Sequence, residues 1–203
     1  SYLARHASVG LTYSAEFAKL SGYADASWET RRSTSGWVVL LQSAAISWGS
    51  AKQKSTALSS CEAEIIIALS EATKDVVYLR KLTRGLREPD ATSPSELRTE
   101  SQSARDVSYN PEQHHRMKHV ERRHFFVRDM VESLEIEVPF VRTHDNIADF
   151  FTKPMKNSTQ FFAFRQQIMN EPSRTDRGID HPVDGGRPRG ASGSASDPSI
   201  VAP

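Results

Sequence analysis

Four kinds of carboxylate stand where a carboxylate needs a reason. Asp25 lies inside the apolar run Gly22-Tyr23-Ala24-Asp25-Ala26-Ser27-Trp28. Strands are depleted in Asp, and a lone buried carboxylate is costly without a partner or a metal. An edge position facing water would serve it equally well. Glu62 and Glu64 lie on an amphipathic stretch. At about 100° per residue, each falls roughly 80° from the centre of the apolar stripe, on opposite flanks. The helical wheel does not choose between them. Glu100 ends the short segment Leu97-Arg98-Thr99-Glu100. Strand ends host active-site residues and ordinary turns alike. Asp149 lies in the first turns of a predicted helix, beside Phe150 and Phe151, where an acid also stabilises the helix dipole by about 0.3–1 kcal/mol. If such acids converged, they would suit hard, oxygen-seeking cations such as Mg²⁺. A pair of those ions about 3.5–4 Å apart serves phosphodiester hydrolysis. Spacing alone does not select this grouping.

The elements that must carry these acids are legible in outline. Leu20–Trp28, Trp37–Gln42 and Ala45–Ser50 read as strands, the last two as buried ones, with Ile46 and Trp48 on one face. A polar turn, Arg31 to Gly36, joins the first two. From Leu58 the period changes to three- and four-residue steps through Cys61, Ile65, Ala68, Leu69, Ala72, Val76 and Leu79. That predicts a long amphipathic helix, bent near Thr73–Lys74 and ended before Pro89. Leu97–Thr99 is a brief strand and Ser101–Ser108 a short helix. His119–Ser133 reads as a helix. Ile136, Val138 and Phe140 alternate with polar or imino positions, and Pro139 places that strand at a sheet edge. Thr143 or Asp145 caps a last helix that carries Ile147, Phe150 and Phe151 and stops near Pro154. Three strands, then helix, strand, helix, strand, helix, predict an α/β fold: a mixed sheet flanked by helices.

Composition narrows the function classes. The chain has 203 residues, 37% hydrophobic and 25% charged, with a net charge of +1. No run of about 18 apolar residues occurs, so no membrane span is expected. Cys61 is the one cysteine, which excludes a disulfide framework and a Cys-rich zinc site. The near-neutral total hides a basic block. Residues 114–128 hold five Lys or Arg against one Glu, together with four of the seven histidines. Such a stripe can bind phosphates, although a solvated helix face has the same pattern. His115 and His119 have the i, i+4 spacing of a helical metal pair, but no third ligand accompanies them. Residues 171–203 hold five of the ten glycines and five of the ten prolines, without aromatics, and read as a disordered tail. Ser1 in place of Met reads as the opening of a fragment of a longer chain or of a trimmed piece.

Taken in order, the motifs resemble the ribonuclease H region that ends the Pol polyprotein of copia-type LTR retrotransposons. The stretches are Gly22 to Trp28, Arg32-Ser33-Thr34-Ser35-Gly36-Trp37, Ile46 to Lys54, and Ala57-Leu58-Ser59-Ser60-Cys61-Glu62-Ala63-Glu64. Glu100-Ser101-Gln102-Ser103-Ala104, the basic run His114 to Arg128, and Asp145-Asn146-Ile147-Ala148-Asp149-Phe150-Phe151-Thr152-Lys153-Pro154 follow. Together they span roughly residues 10–156.

The resemblance implies an RNase H-like fold, a five-stranded mixed sheet flanked by helices. It implies residues 1–15 as a linker from an upstream reverse transcriptase domain and 16–156 as the RNase H-like domain, with a helical extension over 157–170 before the tail. It carries the catalytic, metal-binding positions onto Asp25, Glu64 (not Glu62), Glu100 and Asp149. It further implies two Mg²⁺ ions, with Mn²⁺ as a substitute, and cleavage of the RNA strand of RNA–DNA hybrids during reverse transcription. The implied partners are the hybrid and the upstream reverse transcriptase, with no membrane. The implied location is intracellular: cytoplasmic virus-like particles, with the nucleus as a second compartment. Arg116, Lys118 and Arg123 are the implied nucleic-acid contacts. One departure stands out: the third acidic position is usually Asp, whereas Glu100 is one methylene longer. A catalytically inactive module that binds nucleic acid or braces the reverse transcriptase is therefore the alternative. His144 precedes the last acid by five residues and receives no role.

Overall fold

The structure is a computed structural model that describes residues 4, 6–7, 9–13, 19–27, 32–53, 61–86, 93–110 and 121–170. The side chains of residues 61–64 and 121 lie outside that description, as do the predicted tail and residues 114–120 of the basic block. The chain divides into two units, Ser1–Pro172 and Ser173–Pro203, and every described residue belongs to the first.

Strand β1 (Ser21–Ser27) lies at the centre of a five-stranded sheet. It pairs antiparallel with β2 (Thr34–Leu41), which pairs antiparallel with β3 (Ala44–Lys52). On its other side β1 pairs parallel with β4 (Ser95–Thr99), and β4 pairs parallel with the two-residue β5 (Ile136–Glu137). The order is β3-β2-β1-β4-β5. Between the strands run helices α1 (Cys61–Gly85), α2 (Gln102–Tyr109) and α3 (Glu121–Glu132); α4 (Asp149–Thr152) and α5 (Ser158–Met169) follow β5. Among the described residues no helix is long and apolar enough to cross a membrane.

Alternation along β2 shows why the sheet is covered twice. Successive strand side chains point to opposite faces. Val39 joins Ala24, Leu97 and the α1 residues Ile66, Leu69, Ala72 and Val76 in the larger core. Val38 and Leu40 point the other way, into a second cluster with Ala45, Ile147, Phe164 and Ile168. A strand buried on both faces needs apolar residues in succession, which is what Trp37-Val38-Val39-Leu40 supplies.

Several sequence expectations are corrected. Helix α1 runs unbroken through Thr73 and Lys74. Thr73 is buried, and its hydroxyl donates to the Leu69 carbonyl at 2.7 Å, so the helix absorbs the polar group. Strand β3 is an edge strand: Trp48 is 54% exposed, although Ile46 on the same face packs against the larger core. Neither Thr143 nor Asp145 caps α4. They form a 3₁₀ turn, Thr143–Asp145, and Ala148 stands at the N-cap of α4. The edge position read from Pro139 holds. Pro139 accepts from the Thr99 amide at 3.2 Å, and its missing N–H faces no strand.

The end of α1 is locked to β4 and β5 by a buried arginine. Arg80 is 2% exposed. Its Nε donates to Glu135 Oε2 at 2.7 Å, and its Nη1 donates to the Ser93 carbonyl at 2.6 Å and Ser95 Oγ at 3.0 Å. Arg84 adds two further bonds to Glu135 at 2.8 and 2.9 Å. The Arg84 hydrogen bonds, followed by those of Arg80, hold the Glu135 carboxyl below the usual carboxylate range. Glu135→Ala would remove the carboxylate that pairs with the buried Arg80 charge. Breaking such a pair costs about 3–5 kcal/mol, and a loss in that range is expected in urea unfolding at pH 7. Because the Glu135 pKa is depressed, its contribution is present at neutral pH and fades as pH falls below the ordinary glutamate value. The deficit of Glu135→Ala is therefore expected to shrink toward pH 3.

Candidate active site

Strand β1, the residue after β4, and α4 deliver three acids to one point. One carboxylate oxygen from each of Asp25, Glu100 and Asp149 lies within 4.8 Å of the other two. The parallel β1–β4 pairing sets the first distance. Its last register partners are Ala24 and Thr99, so Asp25 and Glu100 each follow directly on neighbouring strands. Asp25 and Asp149 are each 2% exposed, and Glu100 is half-buried.

Asp149 reaches the cluster because α4 lies directly on β2. Gly36 is the contact point: a Cβ there would meet Thr152 Cγ2 at 2.5 Å, Phe151 Cβ at 3.0 Å and the Ala148 carbonyl at 3.1 Å. Only a residue without a side chain allows that approach. Asn146, fully buried, anchors the preceding loop by accepting from the Ala148 amide at 3.3 Å.

Each acid has a supporting group. Thr152 Oγ1 donates to Asp25 Oδ2 at 2.6 Å. Lys153 Nζ lies 2.8 Å from Asp149 Oδ2. The Thr143 hydroxyl bonds the Glu100 carboxylate. Two oxygens have no hydrogen-bond partner among the described residues: Glu100 Oε2 and Asp149 Oδ1. Buried polar atoms are rarely left so. Three acids with two open oxygens form a hard oxygen donor set, which fits a divalent cation of the Mg²⁺ kind.

The electrostatics carry the same mark. Burial, then the Asp25 charge, raises the Glu100 carboxyl above its ordinary value against the Thr143 hydrogen bond and Lys153. Burial likewise pushes Asp149 up to about 6, with Asp25 and Glu100 adding to the rise and the Lys153 bond opposing it. Burial works most strongly against the Lys153 charge, but the Asp149 hydrogen bond and the charges of Asp149, Asp25 and Glu100 together outweigh it and lift the ammonium above the usual lysine range.

The other expected site residues fall as follows. Glu64 lies in the first turn of α1, and its side chain is outside the described residues, as is that of Glu62. Arg116, Lys118, His115 and His119 are outside them too. Arg123 is exposed on α3, with its Nη2 3.6 Å from Glu71 Oε1 on α1. His144 pairs with Asp145 at 3.2 Å on the surface. Sequence reading passed over Thr152, Lys153 and Gly36. The first two stand three and four residues after Asp149, the spacing that puts side chains on one helix face.

A five-stranded mixed sheet with this strand order and helical cover is the RNase H-like fold. LC11-RNase H1, a compost metagenomic protein solved in complex with an RNA/DNA hybrid, superposes with a TM-score of 0.51 over 66% of this chain and 94% of its own, at 13% identity. By sequence the chain is a homologue of the retrovirus-related Pol polyproteins of plant transposons. It is 36% identical over 140 residues to that of transposon TNT 1-94 from Nicotiana tabacum, covering 66% of this chain. It is 35% identical over 154 residues to that of transposon RE1 from Arabidopsis thaliana, covering 73%. The chain spans about a tenth of the length of either relative. No protein-family profile matches it.

The raised Asp149 pKa predicts how the metal-free protein responds to pH. A carboxyl whose folded pKa is about 6, against 3.8 when exposed, favours the fold below the lower value and loses that contribution as pH rises through the upper one. Two units correspond to at most about 3 kcal/mol. In EDTA, Asp149→Asn is expected to melt above the parent at pH 7.5 by several degrees, and the gain is expected to vanish near pH 4. Thermal unfolding at both pH values measures it.

Proposed function

We propose that this chain is the ribonuclease H part of a retrotransposon Pol polyprotein, a metal-dependent endonuclease that cuts the RNA strand of RNA–DNA hybrids during reverse transcription. The observation that carries the reading is the convergence of Asp25, Glu100 and Asp149 within 4.8 Å, with two buried oxygens left open. Homology to transposon Pol polyproteins and the RNase H-like fold support it. Asp25, Glu64, Glu100 and Asp149 are the proposed ligands. Divalent ions held there, Mg²⁺ or Mn²⁺, supply polarisation of the attacking water and charge relief for the departing 3′ oxygen.

The chain's own groups set the geometry. Thr152 fixes the rotamer of Asp25, and Thr143 steadies the longer Glu100 side chain. The extra methylene of Glu100 moves its oxygens outward by about one bond length, and active sites lose up to about a hundredfold for a misplacement near 1 Å. RNA is distinguished from DNA by 2′-hydroxyl contacts and helix shape rather than by base edges. LC11-RNase H1 was solved with an RNA/DNA hybrid, which favours that substrate class here. The reverse transcriptase of the same polyprotein is the proposed partner.

Cleavage of a labelled hybrid in Mg²⁺ tests the reading. Asp25→Asn is expected to abolish cleavage, by at least about a thousandfold, and activity that survives it refutes the mechanism. Glu100→Asp is expected to raise the rate several-fold, and an unchanged rate in an active parent removes Glu100 as a strained ligand. An inactive parent that still binds hybrid would favour a nucleic-acid-binding module instead. The double variant Lys118→Ala, Arg123→Ala is expected to weaken hybrid binding and to reduce the salt slope by about one to two units. An unchanged slope in a binding assay across salt concentrations removes those residues from the interface.

A further inference from the structure

The cluster gathers three acids, and one of the two Asp149 oxygens on the α4 side is taken by a lysine rather than left for a cation. Lys153 Nζ lies 2.8 Å from Asp149 Oδ2, while Asp149 Oδ1 stays open. The ammonium also feels the charges of Asp25 and Glu100. It is therefore the positive charge that the described residues supply to the three acids together.

Two features make this pairing releasable. Asp149 is almost fully buried, but the Lys153 side chain is 37% exposed, so its head group has a path to solvent. Lys153 also stands just past α4 in extended backbone, at φ −146° and ψ 151°, so its side chain can move without unwinding the helix. Asp149 and Thr152, by contrast, are fixed by α4 against β2.

We propose that Lys153 is a resident counter-cation of the carboxylate cluster, and that a divalent metal ion loads onto Asp149 by displacing its ammonium. The inference rests on the metal-site reading above and adds what that reading lacks, the occupant of Asp149 before the metal arrives. Two effects then oppose loading: Lys153 competes for Asp149 Oδ2, and its charge repels an incoming dication. In the metal-free protein the same ammonium limits repulsion among the acids.

Calorimetric titration of the full chain with Mn²⁺, without nucleic acid, tests this independently of cleavage. Lys153→Met and Lys153→Gln are expected to bind Mn²⁺ about tenfold more tightly than the parent, and to melt at lower temperature in EDTA at pH 7.5. Lys153→Arg, which keeps the charge, is expected to retain the weaker parental affinity. A lysine that merely braced α4 would give the opposite result, since its loss would loosen the ligands and weaken binding. Equal or weaker Mn²⁺ affinity in Lys153→Met and Lys153→Gln overturns the inference while leaving the metal site standing. A parent that shows no saturable binding, or binding that Asp149→Asn leaves intact, overturns both.

Discussion

The structure turns on a repulsion. Three carboxylates are held within 4.8 Å of one another, two of them almost fully out of water. Left to themselves such groups separate or take up protons, and burial and mutual charge do raise the pKa values of Glu100 and Asp149. The fold must therefore be rigid where the acids attach. Asp25 and Glu100 extend from adjacent parallel strands at the sheet centre. Asp149 is pressed against the neighbouring strand where Gly36 has no side chain. Each acid also receives a local donor, so that its orientation does not depend on the arrival of a cation.

Rigidity at the site is supplied from a distance. The Arg80–Glu135 lock ties the far end of α1 to the segments around β4 and β5. On the other flank Asp75 of α1 accepts from Trp37 Nε1 at 2.8 Å and from Ser47 Oγ at 2.7 Å, fastening the helix across β2 and β3. The Trp37 ring covers Gly49, where a Cβ would fall 2.2 Å from the indole. One helix is thus bonded near both edges of the sheet, and the central strands that bear the acids have little room to shift.

How much of this the sequence carried depends on the kind of signal. Strands built of successive apolar residues, such as β2, and the long periodic helix were legible, because burial on a face leaves a period. The acids on β1 and after β4 were noticeable as misfits in apolar surroundings. Their convergence was not, since parallel pairing of β1 with β4 brings together positions 75 residues apart. The choice of Glu64 over Glu62 came from motif resemblance, and the periodicity never distinguished them. The hairpin between β2 and β3 carried no turn signal. Gln42 and Ser43 both adopt positive φ, 52° and 67°, where Asn-Gly would be usual. The predicted end of β2, at Gln42, ran one residue long and the predicted start of β3, at Ala45, fell one residue late. A break or bend was expected near Thr73–Lys74, and the burial of Thr73, with its hydroxyl bonded to the Leu69 carbonyl, keeps the helix continuous there. Thr152 and Lys153 carry no such misfit signal, and only their i+3 and i+4 spacing from Asp149 marks them.

The four residues of α4 and the lysine after it form a dense genetic target. Asp149, Thr152 and Lys153 supply one acid of the cluster and the supports of two within five codons. A helix turns by about 100° per residue. Loss or gain of a single codon inside this stretch would therefore swing all its partners off the cluster together, and would shift Phe150 and Phe151 on the second hydrophobic core as well. One small step in the sequence would thus cost the cluster an acid and two supports at once, because they share a single turn of chain.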